Sequence, residues 1–87
     1  MAFVYIVECA DGTLYTGWAF DAHARVKTHN AGRGSIYCRN RRPVRLVYSE
    51  EVPTRSDAQR RERVIKRMSR AKKLELVGVD KADRGRS

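Results

Sequence analysis

The stretch "LYTGWAFDAHARVKTHN", residues 14–30, joins two kinds of local structure. Leu14 to Trp18 is aromatic and β-branched, as a strand should be, and Gly17 interrupts it. Asp21 is a good helix N-cap, so a short helix is expected from Ala22 to about Asn30, with Ala22 and Val26 as its apolar stripe. Arg25 and His29 stand four residues apart on that helix and so share a face that borders the stripe. Upstream, residues 2–9 read as a strand, and Asp11-Gly12 is a hairpin signal. The turn decides the register. A two-residue loop, Asp11-Gly12, pairs Tyr5 with Trp18 and sends Tyr15 to the other face. A three-residue loop, Ala10-Asp11-Gly12, pairs Cys9 with Thr13, Tyr5 with Gly17 and Val7 with Tyr15, so both phenols share a face. The longer loop needs a left-handed residue at its end, and Gly12 can supply it. Gly17 opposite Tyr5 would then leave room for a backbone or a phosphate to come close.

Composition bounds the rest. An 87-residue chain is one small domain, and 41% hydrophobic residues suffice for a globular core. No apolar run reaches the roughly 20 residues that span a bilayer. The N-terminal stretch lacks a basic leader and meets Glu8 early, so no signal peptide is expected and the protein reads as cytoplasmic. Cys9 and Cys38 have neither disulfide-scaffold nor metal-ligand spacing and are expected to be reduced, structural thiols. A formal net charge of +9 points to a polyanionic partner, with nucleic acid first.

Residues 31–43 form a basic, glycine-punctuated loop with Gly32, Arg33, Gly34, Arg39, Arg41, Arg42 and Pro43. A third strand is expected over 44–48, ended by Glu50, Glu51 and Pro53. Ser56-Asp57-Ala58-Gln59 reads as a capping box with Ser56 at the N-cap, opening a helix to about Met68. Ser69 restarts a helix through about Val77, and residues 78–87 read as a flexible basic tail behind a domain over 1–77. The order β-β-α-β-α-α predicts an α+β fold: a small three-stranded, mainly antiparallel sheet flanked by three helices.

Glu62 is the most informative carboxylate. Ala58 and Ile65 place it on the inward stripe of a helix otherwise rich in Arg60, Arg63, Lys66 and Arg67. A carboxylate there is costly unless it is paired or holds a metal. An ion pair with Lys66, four residues on, is the ordinary alternative, worth only a few tenths of a kcal/mol. An arginine such as Arg25 beside the core could hold a phosphate, while a histidine at a helix end also favours the C-terminal dipole.

Taken together these residues resemble the GIY-YIG nuclease domain, and more closely its small stand-alone bacterial members. The resemblance runs over residues 2–77: Phe3-Val4-Tyr5, then Tyr15-Thr16-Gly17, Arg25, His29, Asn30, the Gly/Arg loop with Tyr37, "RRPVRLVY" from Arg41 to Tyr48, and Ser56 to Val77 with Glu62. Phe3 stands where the first motif has its glycine, and Thr16 is the middle residue of the second. No asparagine equivalent to that of longer members follows Glu62, and no second, DNA-choosing domain is evident.

The resemblance implies hydrolysis of phosphodiester bonds with one divalent metal, Mg²⁺ or Mn²⁺, held by Glu62. It implies that Arg25 stabilises the transition state and that one of Tyr5 and Tyr15 takes a proton from the attacking water while the other orients it. His29 is the second candidate base. Gly17, Arg33, Tyr37, Arg39, Arg41, Arg42, Arg63 and Lys66 are expected to contact nucleic acid, with Trp18 and Tyr37 as exposed stacking aromatics. The expected substrate is DNA, single-stranded or branched rather than plain duplex, the expected state a monomer, and DNA repair the expected setting. The alternative is a nucleic-acid-binding module with an idle site.

Overall fold

The computed structural model describes residues 1–85, with side chains described for residues 1–78. Three antiparallel strands, β1 (Ala2–Glu8), β2 (Leu14–Ala19) and β3 (Arg45–Val52), form a sheet in the order β2-β1-β3. The central strand is a near-continuous apolar run because both its faces are covered. The expected α+β architecture and element order are therefore present.

The hairpin takes the three-residue loop. Cys9 N–H donates to Thr13 O at 2.8 Å, Gly12 N–H donates to Cys9 O at 2.9 Å, and Gly12 sits at φ +84°. Asp11 Oδ1 accepts from the Thr13 amide at 3.1 Å and from its hydroxyl at 2.6 Å, which pins the turn. Tyr5 consequently lies opposite Gly17 and Val7 opposite Tyr15.

Alternation then divides the molecule in two. Ala2, Val4 and Ile6 face one side, where Ala58, Ile65 and Val77 pack on them with Val47. Tyr5, Val7 and Cys9 face the other side, against Ala22, Cys38 and Val44. Helix α1 (Ala22–Asn30) covers this second face, and its Asp21 Oδ1 accepts from Ala24 N–H at 3.0 Å, as a cap should. A single turn, α2 (Ile36–Arg39), interrupts the stretch that the sequence reads as plain loop. Ser35 caps it through Tyr37 N–H, and buried Cys38 ties it to the core.

Helices α3 (Arg55–Lys66) and α4 (Arg70–Gly85) follow β3. Three boundaries differ from the sequence reading. The third strand runs on through Glu50 and Glu51 to Val52, because Arg61 and the Tyr48 hydroxyl take up the Glu50 carboxylate. The cap of α3 is Thr54, not Ser56: Thr54 Oγ1 accepts from Asp57 N–H at 3.1 Å and donates to Asp57 Oδ2 at 2.9 Å. That is the same reciprocal box, set two residues earlier, where Pro53 has already turned the chain. Ser69 Oγ accepts from Lys72 N–H as expected, but α4 continues past Val77 to Gly85. The expected tail, 78–87, thus falls on helix and on residues 86–87 and side chains beyond Gly78 that lie outside the described residues.

Candidate active site

Tyr5 is the centre of the second face. It is 1% exposed, and its ring lies across Gly17 of the neighbouring strand. A Cβ at Gly17 would stand 2.5 Å from the Tyr5 hydroxyl, closer than any real contact. The space at Gly17 is therefore filled by the phenol, where the sequence reading leaves it to a phosphate. Glycine is required here so that a buried tyrosine can carry its hydroxyl across β2.

His29 meets that hydroxyl. It extends the Ala22/Val26 stripe of α1 into the core and is 2% exposed, whereas Arg25 on the same helix stays exposed. Tyr5 Oη and His29 Nε2 are hydrogen-bonded at 2.9 Å, and Ser35 N–H donates to His29 Nδ1 at 3.2 Å. Burial, then the Arg25 charge, hold the His29 imidazole below its ordinary range. Burial, then Tyr15, push the Tyr5 phenol well above its ordinary range, Arg25 opposes this, and Glu62 adds to it. These effects place Tyr15, Arg25 and Glu62 within electrostatic reach of one hydroxyl. Tyr15 also meets His29 edge-on, with ring centroids 5.5 Å apart. Direct contacts thus join Tyr5, His29 and Tyr15, and the charges of Arg25 and Glu62 bear on the same hydroxyl.

Glu62 sits on the partly buried side of α3, its side chain 20% exposed, with Lys66 Nζ 3.6 Å from Oε1. That pair is long and half in water, so it contributes little. Lys66 Nζ also lies 5.9 Å from the centre of the Tyr15 ring, which puts this lysine at the edge of the site. Among the described residues, no three or more His, Cys, Asp or Glu side chains cluster as a metal cage. One partly exposed carboxylate fits a hard cation that keeps most of its waters, and does not fit a zinc set.

The basic loop divides into built-in and free arginines. Arg41 donates to Asp11 Oδ2 at 3.2 Å and to Tyr37 O at 2.8 Å, and its guanidinium covers the Tyr37 ring at 4.1 Å. Tyr37 in turn stacks on Tyr15 at 5.7 Å. Arg42 donates to Arg39 O and Asn30 O, at 2.7 and 3.3 Å. Asn30, which the sequence reading matched without a role, holds Val44 through both its N–H and its carbonyl, at 2.7 and 3.0 Å. Arg41 and Arg42 therefore fold the loop onto the site. Arg25, Arg33, Arg39 and Arg63 are exposed and form no side-chain hydrogen bond or ion pair among the described residues.

The expected stacking aromatics change too. Tyr37 is 38% exposed, but Trp18 packs on the first-face core, edge to face with Phe20. Phe20, which carried no sequence signal beyond its type, is the aromatic left 63% exposed. It lines a cleft of about 330 Å³ with Phe3, Asp21, Ala22, His23 and Ser49, which none of the five gathered residues lines.

Known proteins similar to this chain point to one family. The GIY-YIG catalytic domain profile matches residues 1–75. UPF0213 proteins of Staphylococcus aureus strains Mu3 and N315 are each 56% identical over 75 residues, covering 86% of this chain and 92% of theirs. The solution NMR structure of the UPF0213 protein BH0048 from Bacillus halodurans superposes with a TM-score of 0.58 at 44% identity, covering 91% of this chain and 85% of that one. With the family profile spanning residues 1–75 and relatives at this identity, the chain belongs to the GIY-YIG family, a superfamily of nuclease type.

Proposed function

We propose that this protein is a metal-dependent endonuclease that hydrolyses phosphodiester bonds in DNA, single-stranded or branched rather than plain duplex. The observation that carries the reading is that Tyr15 of β2, Arg25 and His29 of α1 and Glu62 of α3 all act on the Tyr5 hydroxyl of the buried strand β1. Glu62 would hold Mg²⁺ or Mn²⁺. When bound, such an ion offsets charge on the scissile phosphate and the leaving 3′ oxygen. Arg25 stays exposed beside the phenols, where a guanidinium can pair with phosphate oxygens as charge builds. One of Tyr5 and Tyr15 takes a proton from the attacking water, and the other holds the water in line. Arg33, Arg39 and Arg63 would contact flanking phosphates, with Tyr37 and Lys66 at the rim.

A carboxylate in a phosphate groove opposes binding, so its presence favours catalysis over simple binding. The test is Mg²⁺-dependent cleavage of labelled single-stranded, nicked, branched and duplex DNA by the full chain. Cleavage of the first three above duplex supports the reading. Salt-sensitive binding to all of them with no cleavage of any overturns it in favour of a binding module.

A further inference from the structure

His29 is the point where the fold makes a choice that chemistry depends on. A neutral imidazole has one N–H and one bare nitrogen, and its partners decide which is which. Here Nδ1 receives the Ser35 backbone N–H at 3.2 Å. A backbone amide can only donate, so the nitrogen facing it must be bare. The other nitrogen, Nε2, then carries the hydrogen, and it lies 2.9 Å from the Tyr5 oxygen.

The approach of the chain to Nδ1 is built. Helix α1 ends with Gly32 N–H on His29 O and Arg33 N–H on Thr28 O, which folds the chain back across the imidazole. Gly34 follows, and a Cβ there would stand 2.1 Å from Nδ1. Only a glycine lets the Ser35 amide come this near. Ser35 is then held as the cap of α2, and α2 carries Tyr37 onto Tyr15. The imidazole is 2% exposed, so water does not compete for either nitrogen.

We propose that the Gly34–Ser35 backbone fixes His29 as the Nε2–H tautomer, making it a donor to the Tyr5 oxygen and a positioning residue, not a base. This deepens the nuclease reading and rests on it for the role of Tyr5. Neither imidazole nitrogen is then free to take a proton: Nε2 already has one and Nδ1 faces a donor. The Tyr5 oxygen receives its hydrogen bond from the protein side. No other described residue hydrogen-bonds that hydroxyl, so no protein acceptor competes for its own hydrogen. A donor at the phenol oxygen also favours negative charge there, should Tyr5 be the group that gives up its proton. Gly34 and Ser35 act through His29 on Tyr5, which explains why a loop with no titratable side chain at those positions packs this tightly.

The experiment reads the imidazole directly. Two-bond ¹H–¹⁵N correlation NMR on the full chain resolves which nitrogen bears hydrogen, with exposed His23 assigned through His23→Gln. The expected result near neutral pH is a protonated Nε2 and a bare Nδ1 at His29. Tyr5→Phe should leave that tautomer unchanged, because Ser35 sets it. A Ser35 amide-to-ester replacement, assembled by ligation at Cys38, removes the N–H without changing shape. It should mix the tautomers and lower turnover by about tenfold, the usual size of such an outer contact. Ser35→Ala keeps the amide and should keep the tautomer. An Nδ1–H imidazole in the wild type, a tautomer that switches in Tyr5→Phe, or one unmoved by the ester overturns the proposal. The expected tautomer in a protein that cleaves no DNA overturns the nuclease reading and leaves the hydrogen-bond assignment standing.

Discussion

The two faces of the sheet are built from alternate residues of the same strands, yet they treat buried polar groups in opposite ways. On the face of Ala2, Val4 and Ile6, the helices bring Ala58, Ile65 and Val77 and the fully buried contacts are apolar, while Arg61, Glu50 and Tyr48 pair at partly exposed positions. Among the described residues, the buried side-chain polar atom there without a partner is Thr16 Oγ1, on a residue 2% exposed. On the face of Tyr5 and Val7, a phenol and an imidazole are just as buried, and both are hydrogen-bonded. Burying a polar group is tolerable when its partner is fixed. One face is organised for stability and leaves a hydroxyl unsatisfied, while the other uses backbone geometry to satisfy its buried phenol and imidazole.

Substitutions on the two faces should separate turnover from stability. The largest effect is expected for Glu62→Gln. Its amide keeps the shape and removes a half-buried charge, so the melting temperature should hold or rise. Binding to DNA without metal should hold or tighten, and Mg²⁺-dependent cleavage should vanish, because a neutral amide is a poor sole ligand for Mg²⁺. Surviving turnover removes Glu62 from the metal role.

Ile65→Ala comes next. Ile65 is fully buried in the apolar face, and truncation there should lower stability by about 2–5 kcal/mol in urea titration. Cleavage per folded molecule should be unchanged. A fall in that quantity would mean that the faces are coupled through the sheet. Gly17→Ala reverses the pattern. Its methyl must displace the Tyr5 hydroxyl, and misplacement of that size typically lowers turnover by about 10²-fold.

The pH dependence of stability should come from the site face as well. Burial holds the folded His29 below its ordinary range, so the unfolded chain takes up the proton first as pH falls. Unfolding then binds protons, and stability, complete above about pH 6.5, declines below it. His29→Gln should flatten the curve just below that value. A curve that stays steep in the variant assigns the slope elsewhere. The smallest effect is expected for Thr16→Val, which replaces an unsatisfied buried hydroxyl by a methyl of similar size. A gain of about 1 kcal/mol is expected, and a loss would reveal a partner for that hydroxyl.

Much of this was legible in the chain itself, because it rests on short-range rules. Asp11-Gly12 marked the hairpin and narrowed it to two registers, one of which, the longer loop ended by Gly12, brings Tyr5 and Tyr15 to one face. Asp21 placed the start of α1, and the order of elements followed from periodicity. The candidate residues could be chosen by type and spacing, since alternation along a strand and the four-residue repeat of a helix are local geometry.

The tertiary structure decided everything that depends on a distant partner. Arg25 and His29 share a helix face by spacing, but packing against β1 buries one and leaves the other in water. Arg41 and Arg42 look like phosphate contacts in a basic loop, yet Asp11 and Asn30, far away in sequence, draw them into the fold. Trp18, expected to be an exposed stacking aromatic, is half-buried against the first-face core, while Phe20 two residues on stays exposed. Gly17 and Gly34 are both small for the sake of a side chain on another element, a phenol in one case and an imidazole in the other. A hydrogen bond from a backbone amide leaves no trace in residue type, so the Ser35 contact that governs His29 exists only once the chain has closed.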